Sequence, residues 1–343
     1  MGRLCYISRN YYNFASAGNK AKSDNEDTLQ SLGAVNLGLR RSCHNSKVVA
    51  FFRNFAGVVK FALCVRRGDT VVLQYPVKKY FKLLCRVARA KGAKTVALIH
   101  DLGSFRRRAI TTATEIARLS QADCVVASNA AMELWLKENG LKKPTCWLGL
   151  FDYLSPSRPQ TKALPVGGEW QIVYAGSLNM RKNAFLTKMQ QLDMRFALNL
   201  YGRPSDYGID RSKAHIVEHE FMPSDRFIAE AEGHFGLIWD GDSLDGCTGS
   251  FGEYLKYNSP HKLSFYVRAG LPVIVWDKAA VAPIVESEGI GLVVASLRDV
   301  PAALASVDEA RMEAMQRNVA RVSSRLASGQ YFKDALAKAE AKL

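Results

Sequence analysis

Short apolar runs and amphipathic stretches alternate along nearly the whole chain. In the first half, runs of strand length and composition occur at 4–8, 48–52, 70–74, 95–100 and 123–127. Between them, apolar positions recur with helical spacing, most clearly over 77–90, 107–119 and 130–138. Residues 171–175, 196–201, 216–218, 235–239, 272–276 and 291–294 repeat the strand pattern, and 300–343 is Ala-rich and helical. Alternation of this kind predicts parallel sheets with helices on both faces. Ser155, Pro156, Ser157, Arg158 and Pro159 break the pattern, and 165–168 punctuates it again, so an interdomain linker is expected there. The expected division is a first domain over 1–160 and a second over 168–343, each large enough for its own core.

Composition narrows the class without naming a function. A hydrophobic content of 48% with 23% charged residues fits a soluble globular protein rather than a disordered one. No apolar run approaches the roughly 20 residues of a spanning helix. The first residues begin like a strand and lack the apolar core of a signal peptide, so a cytosolic location is expected. The seven cysteines are scattered with no C-x-x-C pair, which favours reduced thiols over disulfides or zinc. Charge is uneven. Residues 1–150 hold 25 Lys and Arg against 9 Asp and Glu, whereas 151–343 is nearly balanced, so an acidic partner for the first half is expected.

Polar residues gather where the strands end, which is where parallel sheets bind ligands. Strands 235–239 and 272–276 run into Asp240 and Asp277, and Ser259, Pro260, His261 and Lys262 open the helix between them. A lysine in the first turn opposes the helix dipole, so Lys262 asks for an anion nearby; the plain alternative is one exposed lysine. His261 can donate to a phosphate or simply pack. Gly176 directly follows a strand, where a missing Cβ lets the backbone approach a ligand. Behind it, Arg181 and Lys182 can neutralise a diphosphate or be solvated turn charges. Asp240 with Asp242 reads as hydroxyl recognition or loop structure rather than a metal site, since no further ligand cluster is visible. Glycines at 241, 246, 249 and 252 suggest a flexible flap.

In the first half, Gly18, Lys20 and Asp24 follow the first strand and read as a phosphate-facing loop or a mobile charged one. His100 and Asp101 end another strand, where a carboxylate suits a general base or, equally, a helix N-cap. The densest basic and aromatic segment, 75–91, sets Tyr80, Leu83, Leu84 and Val87 in one helical stripe beside Lys78, Lys82, Arg86 and Arg89. That is either a surface for an anionic membrane or a core face with solvated cations.

The segments FGLIWDGDS, GEYLKYNSPHK and GLPVIVWDKAA resemble the donor-binding half of bacterial cell-surface-polysaccharide glycosyltransferases. These include the O-antigen β-1,6-galactofuranosyltransferases and, more distantly, the glucosyltransferases of streptococcal adhesin glycosylation. The resemblance is dense over 235–291 and thin elsewhere. It implies a metal-independent GT-B fold, two Rossmann-like α/β domains whose parallel sheets face a central cleft, and a UDP-sugar donor. By the same resemblance, UDP is held by Gly176, Arg181 or Lys182, and Lys262, with Tyr201 flanking the uracil unless it caps the core. Glu286 would accept from both ribose hydroxyls, its two oxygens matching a vicinal diol. The galactofuranosyltransferases keep the Gly18, Lys20, Asp24 and Asp27 pattern and the family keeps the His100–Asp101 pair, making Asp101 the expected base and Asp24 the reserve. No cofactor and no metal is expected.

The implied partners are a UDP-sugar, a lipid-linked saccharide acceptor and the anionic inner face of the cytoplasmic membrane, with a homo-oligomer left open. Inverting transfer of galactofuranose is the leading expectation, and transfer of glucose on the same scaffold the second. A non-enzymatic nucleic-acid-binding protein is the third, although no helix-turn-helix, zinc-finger or aromatic RNA-binding motif supports it.

Overall fold

The structure, a computed structural model, describes residues 2–12, 17–77, 80–106, 110–160, 162, 164–165, 169–192, 194–202, 209–210 and 215–343. Lys78, Lys79, Arg107, Arg108 and the 166–168 part of the second punctuation lie outside the described residues. The chain divides into two units, Met1–Asp152 with Ser328–Leu343, and Tyr153–Ala327.

The first unit is built on six strands: β1 Leu4–Tyr6, β2 Val35–Asn36, β3 Thr70–Tyr75, β4 Lys94–Ile99, β5 Cys124–Ala127 and β6 Thr145–Trp147. They pair in parallel in the order β2-β1-β3-β4-β5-β6. Strands covered on both faces need unbroken apolar runs, and Val71, Leu73, Ala97, Leu98, Val125 and Ala127 are fully buried. The short edge strands β2 and β6 carry no such run, which is why the pattern missed them.

The expected strand at 48–52 is instead the start of the helix Lys47–Cys64, capped by Ser46. Its β-favouring residues Val48, Val49, Phe51 and Phe52 are overridden by a helical period that buries Ala50, Gly57, Val58 and Phe61 on one side. The loop expected around Gly18 is the helix Ala17–Ser31.

The second domain does not run to the C-terminus, as the sequence suggested. The helix Gln330–Glu340 returns to the first unit and buries Tyr331, Phe332, Ala335, Leu336 and Ala339 beside β5 and β6. Its free N-terminal amides find a partner far away in sequence: Tyr331 and Phe332 donate to the carboxylate of Asp152 at 3.2 and 2.7 Å. Burial pushes the Asp152 carboxyl up to about 7, against the pull of these two donors. Asp152→Ala is expected to cost about 1–2 kcal/mol, the worth of an N-cap. Faster hydrogen exchange at Tyr331 and Phe332 would register the loosened helix.

The second unit repeats the plan with β7 Trp170–Ala175, β8 Phe196–Tyr201, β9 Ile216–His219, β10 Phe235–Ile238, β11 Val273–Trp276 and β12 Gly291–Val294. The parallel order is β12-β11-β10-β7-β8-β9. From β7 the chain steps outward to β8 and β9, then crosses back to β10, β11 and β12 on the other side. The order therefore reverses between β7 and β10, and such a switch opens a crevice at the carboxyl ends of those two strands.

Two expectations about loops need correcting. The 155–159 linker is fastened to the second unit, because the buried guanidinium of Arg268 donates to the carbonyls of Tyr153, Ser155 and Ser157 at 3.1, 2.8 and 3.1 Å. It also reaches the Ser323 hydroxyl at 2.9 Å. The glycine-rich flap after Asp240 is a packed loop: Leu244, Cys247, Tyr254 and Leu255 are buried. Leu244 and Leu255 also accept backbone bonds from Leu297 and Ala280. All seven cysteines are free.

Candidate functional site

The carboxyl end of β7 turns at Gly176, whose φ of +132° is a conformation that residues with a Cβ rarely adopt. The turn is fixed by its neighbours. Gly176 donates to the Tyr201 carbonyl at 2.9 Å, and Asn183 donates to the Ser177 carbonyl. Lys182 follows in the short helix Met180–Asn183. Its ammonium lies 3.2 Å from Asp240 at the end of β10, and its carbonyl accepts from Gly241 at 2.7 Å. The two strand ends on either side of the switch are thus tied together.

Lys262 enters from the helix His261–Arg268, for which Pro260 is the N-cap. The helix is pinned to β7 by Tyr266, whose hydroxyl accepts from the Ala175 amide at 2.7 Å. Gly236 on β10 makes room for that ring, since a Cβ there would stand 2.3 Å from it. So held, the half-buried Lys262 sets its ammonium 3.6 Å from the centroid of the Tyr174 ring. Tyr174 is fully buried and donates to Asn183 Oδ1 at 2.8 Å.

Burial, and next the neighbouring ammonium of Lys182, lower the Lys262 pKa to about 7, while Asp240 acts in the opposite direction. Among the described residues Lys262 makes no ion pair. Two lysines thus meet one carboxylate, paired with Lys182, at the mouth of the switch, and with both lysines charged the arrangement is short of negative charge. Also among the described residues, no three His, Cys, Asp or Glu side chains group to hold a metal ion.

The structure brings together Gly176, Lys182, Asp240 and Lys262. Arg181 is exposed nearby, 5.6 Å over the Phe251 ring. His261 stacks on Tyr153 at 4.8 Å, the packing role weighed for it.

Two assignments need correcting. The Tyr201 ring is 3% exposed, stacked on His219 at 4.2 Å and edge-on to Phe227, and its hydroxyl accepts from Glu232 at 3.0 Å. It fills the core and presents no face to a uracil. Glu286 is exposed late in the helix Ala282–Glu288, which runs from the end of β11 back toward the start of β12. That course carries Glu286, past the helix's midpoint, from the carboxyl edge of the sheet toward its amino edge. Tyr174, Asn183 and Tyr266, which position the lysine, went unnoticed in the sequence: Tyr174 lies near the end of an ordinary apolar strand run, Tyr266 lies mid-helix, and Asn183 follows two cations that drew the attention.

In the first unit, Gly18, Lys20 and Asp24 lie on one helix, and Lys20 pairs with Asp24, which is 2% exposed. Asp101 follows β4 and is half-buried. The preceding His100 sits 2.9 Å from Gln74 Oε1 and stacks on Phe151 at 5.1 Å. Glu115 accepts from the amides of Gly103 and Ser104, at 2.9 and 2.8 Å, at the start of the helix after Asp101. A further acid, Glu26, carried no sequence signal. Burial raises its pKa to about 7, opposed by donation from Tyr11 and Ser8.

Comparison with known proteins matches both halves of this architecture. A family described as glucosyltransferase 3-like matches through its N-terminal domain over residues 4–150 and its C-terminal domain over 172–339. β-1,6-Galactofuranosyltransferase WbbI of Escherichia coli K12 is 28% identical over 324 residues, 93% of each chain. Glucosyltransferase 3 of Streptococcus parasanguinis is 24% identical over 305 residues, 85% of this chain and 84% of its own. Among solved structures, Anabaena Alr3699/HepE in complex with UDP and glucose superposes with a TM-score of 0.58 at 11% identity, covering 98% of this chain and 100% of that one. A structure described as trehalose-6-phosphate from E. coli bound with UDP-2-fluoro glucose gives 0.61 at 11% identity, with full coverage of both. The fold is GT-B, two parallel-sheet α/β units in one chain. The chain belongs to the glucosyltransferase 3-like family, whose two domain models together account for nearly its whole length.

Proposed function

We propose that this protein is a UDP-sugar-dependent glycosyltransferase that moves galactofuranose onto a lipid-linked saccharide in bacterial surface-polysaccharide synthesis. The observation that carries the reading is the desolvated ammonium of Lys262, without an ion pair among the described residues, beside Lys182 and Asp240 at the switch between β7 and β10. A diphosphate supplies the missing negative charge. In the reaction, the acceptor hydroxyl oxygen bonds to the anomeric carbon as the bond from that carbon to the β-phosphate oxygen breaks. The electron pair leaves with UDP, and Lys262 and Lys182 stabilise the charge it gains, in place of a metal ion. The acceptor proton goes to a carboxylate, Asp101 first and the ion-paired Asp24 in reserve, and one displacement inverts the anomeric centre.

The donor assignment rests on the likeness to the galactofuranosyltransferase. The family description and the streptococcal relative favour glucose as the second reading.

The test is thermal stabilisation by UDP against AMP, with and without EDTA, followed by turnover of UDP-galactofuranose and UDP-glucose with synthetic lipid-linked acceptors. A shift with UDP that ignores EDTA, and product from UDP-galactofuranose, are expected. No shift with any nucleotide, together with salt-sensitive DNA binding, would overturn the reading; product from UDP-glucose alone would select the second donor.

A further inference from the structure

The helix Lys47–Cys64 is apolar on two opposite faces. Ala50, Gly57, Val58 and Phe61 bury one face in the first unit. The other presents Val48, Phe51, Phe52, Phe55, Val59 and Leu63 to solvent, with Val48 64%, Phe52 63% and Leu63 78% exposed. Their spacing of three and four residues draws one continuous ridge along the helix. The rings are held against each other, with Phe51 stacked on Phe55 at 6.5 Å and edge-on to Phe52 at 5.5 Å. An exposed ridge of this size on a soluble unit marks an interaction surface.

Charge selects the occupant. The helix carries Lys47, Arg53 and Lys60 and no acidic residue. Arg53 and Lys60 are fixed along one flank, donating to the carbonyls of Arg40 and Gly38 at 3.2 and 2.8 Å. The adjoining helix Phe81–Ala90 adds exposed Lys82, Arg86 and Arg89 beside a half-exposed Leu83. A second copy of this chain would bring two strongly basic surfaces together, whereas an anionic bilayer attracts the cations and accepts the ridge.

We propose that the Lys47–Cys64 helix is the element that docks this protein on anionic membranes, with Val48, Phe52, Phe55, Val59 and Leu63 entering the acyl boundary and the flanking cations resting at the headgroups. Of the stripe suspected on the following helix, Leu84 is buried, Tyr80 and Val87 are half-buried and Leu83 is exposed, while Phe81, Cys85 and Ala88 form the core face beside it. No described helix is long and apolar enough to cross a membrane, so docking is interfacial. The proposal deepens the reading of a lipid-linked acceptor, yet it is tested without donor or acceptor, so either can fail alone.

The full chain is floated with phosphatidylglycerol–phosphatidylcholine vesicles and with phosphatidylcholine vesicles. Binding to the anionic vesicles only is expected, falling by about tenfold or more in Phe52→Ser/Phe55→Ser, with the thermal shift by UDP retained. In Phe52→Trp, the new indole fluorescence should move to the blue on vesicle addition and be quenched by brominated lipid. Wild-type protein that ignores anionic vesicles, or a double variant that binds as well as wild type, would overturn the proposal. So would an oligomer that the double variant dissolves without any vesicle binding, which would make the ridge a self-association surface.

Discussion

Replacing Lys262 by alanine is expected to weaken UDP binding about ten- to a hundredfold, since a hydrogen bond to a charged group is worth roughly 1.5–3 kcal/mol. The loss in kcat should be larger, about 10²–10³-fold, because negative charge on the departing diphosphate grows toward the transition state. The free protein should behave in the opposite sense. A folded-state pKa lowered by burial means that the charged ammonium costs stability, so Lys262→Ala should melt no lower than wild type at neutral pH. A structural lysine would show the reverse, losing stability and activity together. Calorimetric titration with UDP and a melting curve on the same sample separate the two. A UDP Kd and kcat both close to wild type would remove the anion site from Lys262 and, with it, the proposed mechanism.

Much of this architecture is legible in the sequence, for a reason that particular strands make plain. β8 and β12 match the expected runs residue for residue. All six residues of β8 are buried and all but Asn199 are apolar, between Arg195 and Gly202. β12, an edge strand with alternate residues buried, still reads as apolar through Leu292, Val293 and Val294. The 48–52 run fails for the complementary reason. Its residues favour a strand locally, and only the longer period of 47–64, with one face buried and the other left to a different apolar phase, reveals a helix. Local signals likewise expose Gly176 and Lys262: a small residue after a strand and a lysine in a first turn. What sets the lysine's chemistry is not local. The Tyr174 ring beneath it and the Lys182–Asp240 pair beside it come from the ends of β7 and β10 and a short helix, which only folding brings to the helix start that carries Lys262. Tyr201 and Glu286 show the limit of reasoning by position. A strand end does not say which way a ring turns, and here it turns into the core between His219 and Phe227. A helix after a strand does not say how far along it a carboxylate remains near the ligand end of the sheet.

The pH dependence of UDP binding should carry the signature of the same lysine. In the free protein, burial and the Lys182 ammonium hold the Lys262 pKa at about 7, below its ordinary 10.5. A bound diphosphate favours the charged form and raises that pKa again. The complex then holds more protons than the free protein between about pH 7 and the restored pKa, so binding takes up a proton in that window. Affinity should be governed by UDP itself below the window and fall within it, approaching a tenfold loss per pH unit, because one unit is about 1.4 kcal/mol. Stability of the free protein runs the other way. The unfolded chain holds the extra proton between pH 7 and 10.5, so the lysine's penalty is full below about 7 and fades as pH rises. At about pH 8.5 the terminal phosphate of UDP is already ionised, its own pKa being near 6, and contributes no proton change. Calorimetry there in two buffers of different ionisation enthalpy should therefore return an uptake near one proton per UDP. Lys262→Met, which keeps the apolar stem over Tyr174 without the ammonium, should bring that uptake close to zero and flatten the affinity profile. An unchanged uptake in the variant would assign the titration to another group, and an uptake near zero in the wild type would mean that the Lys262 ammonium never meets the diphosphate.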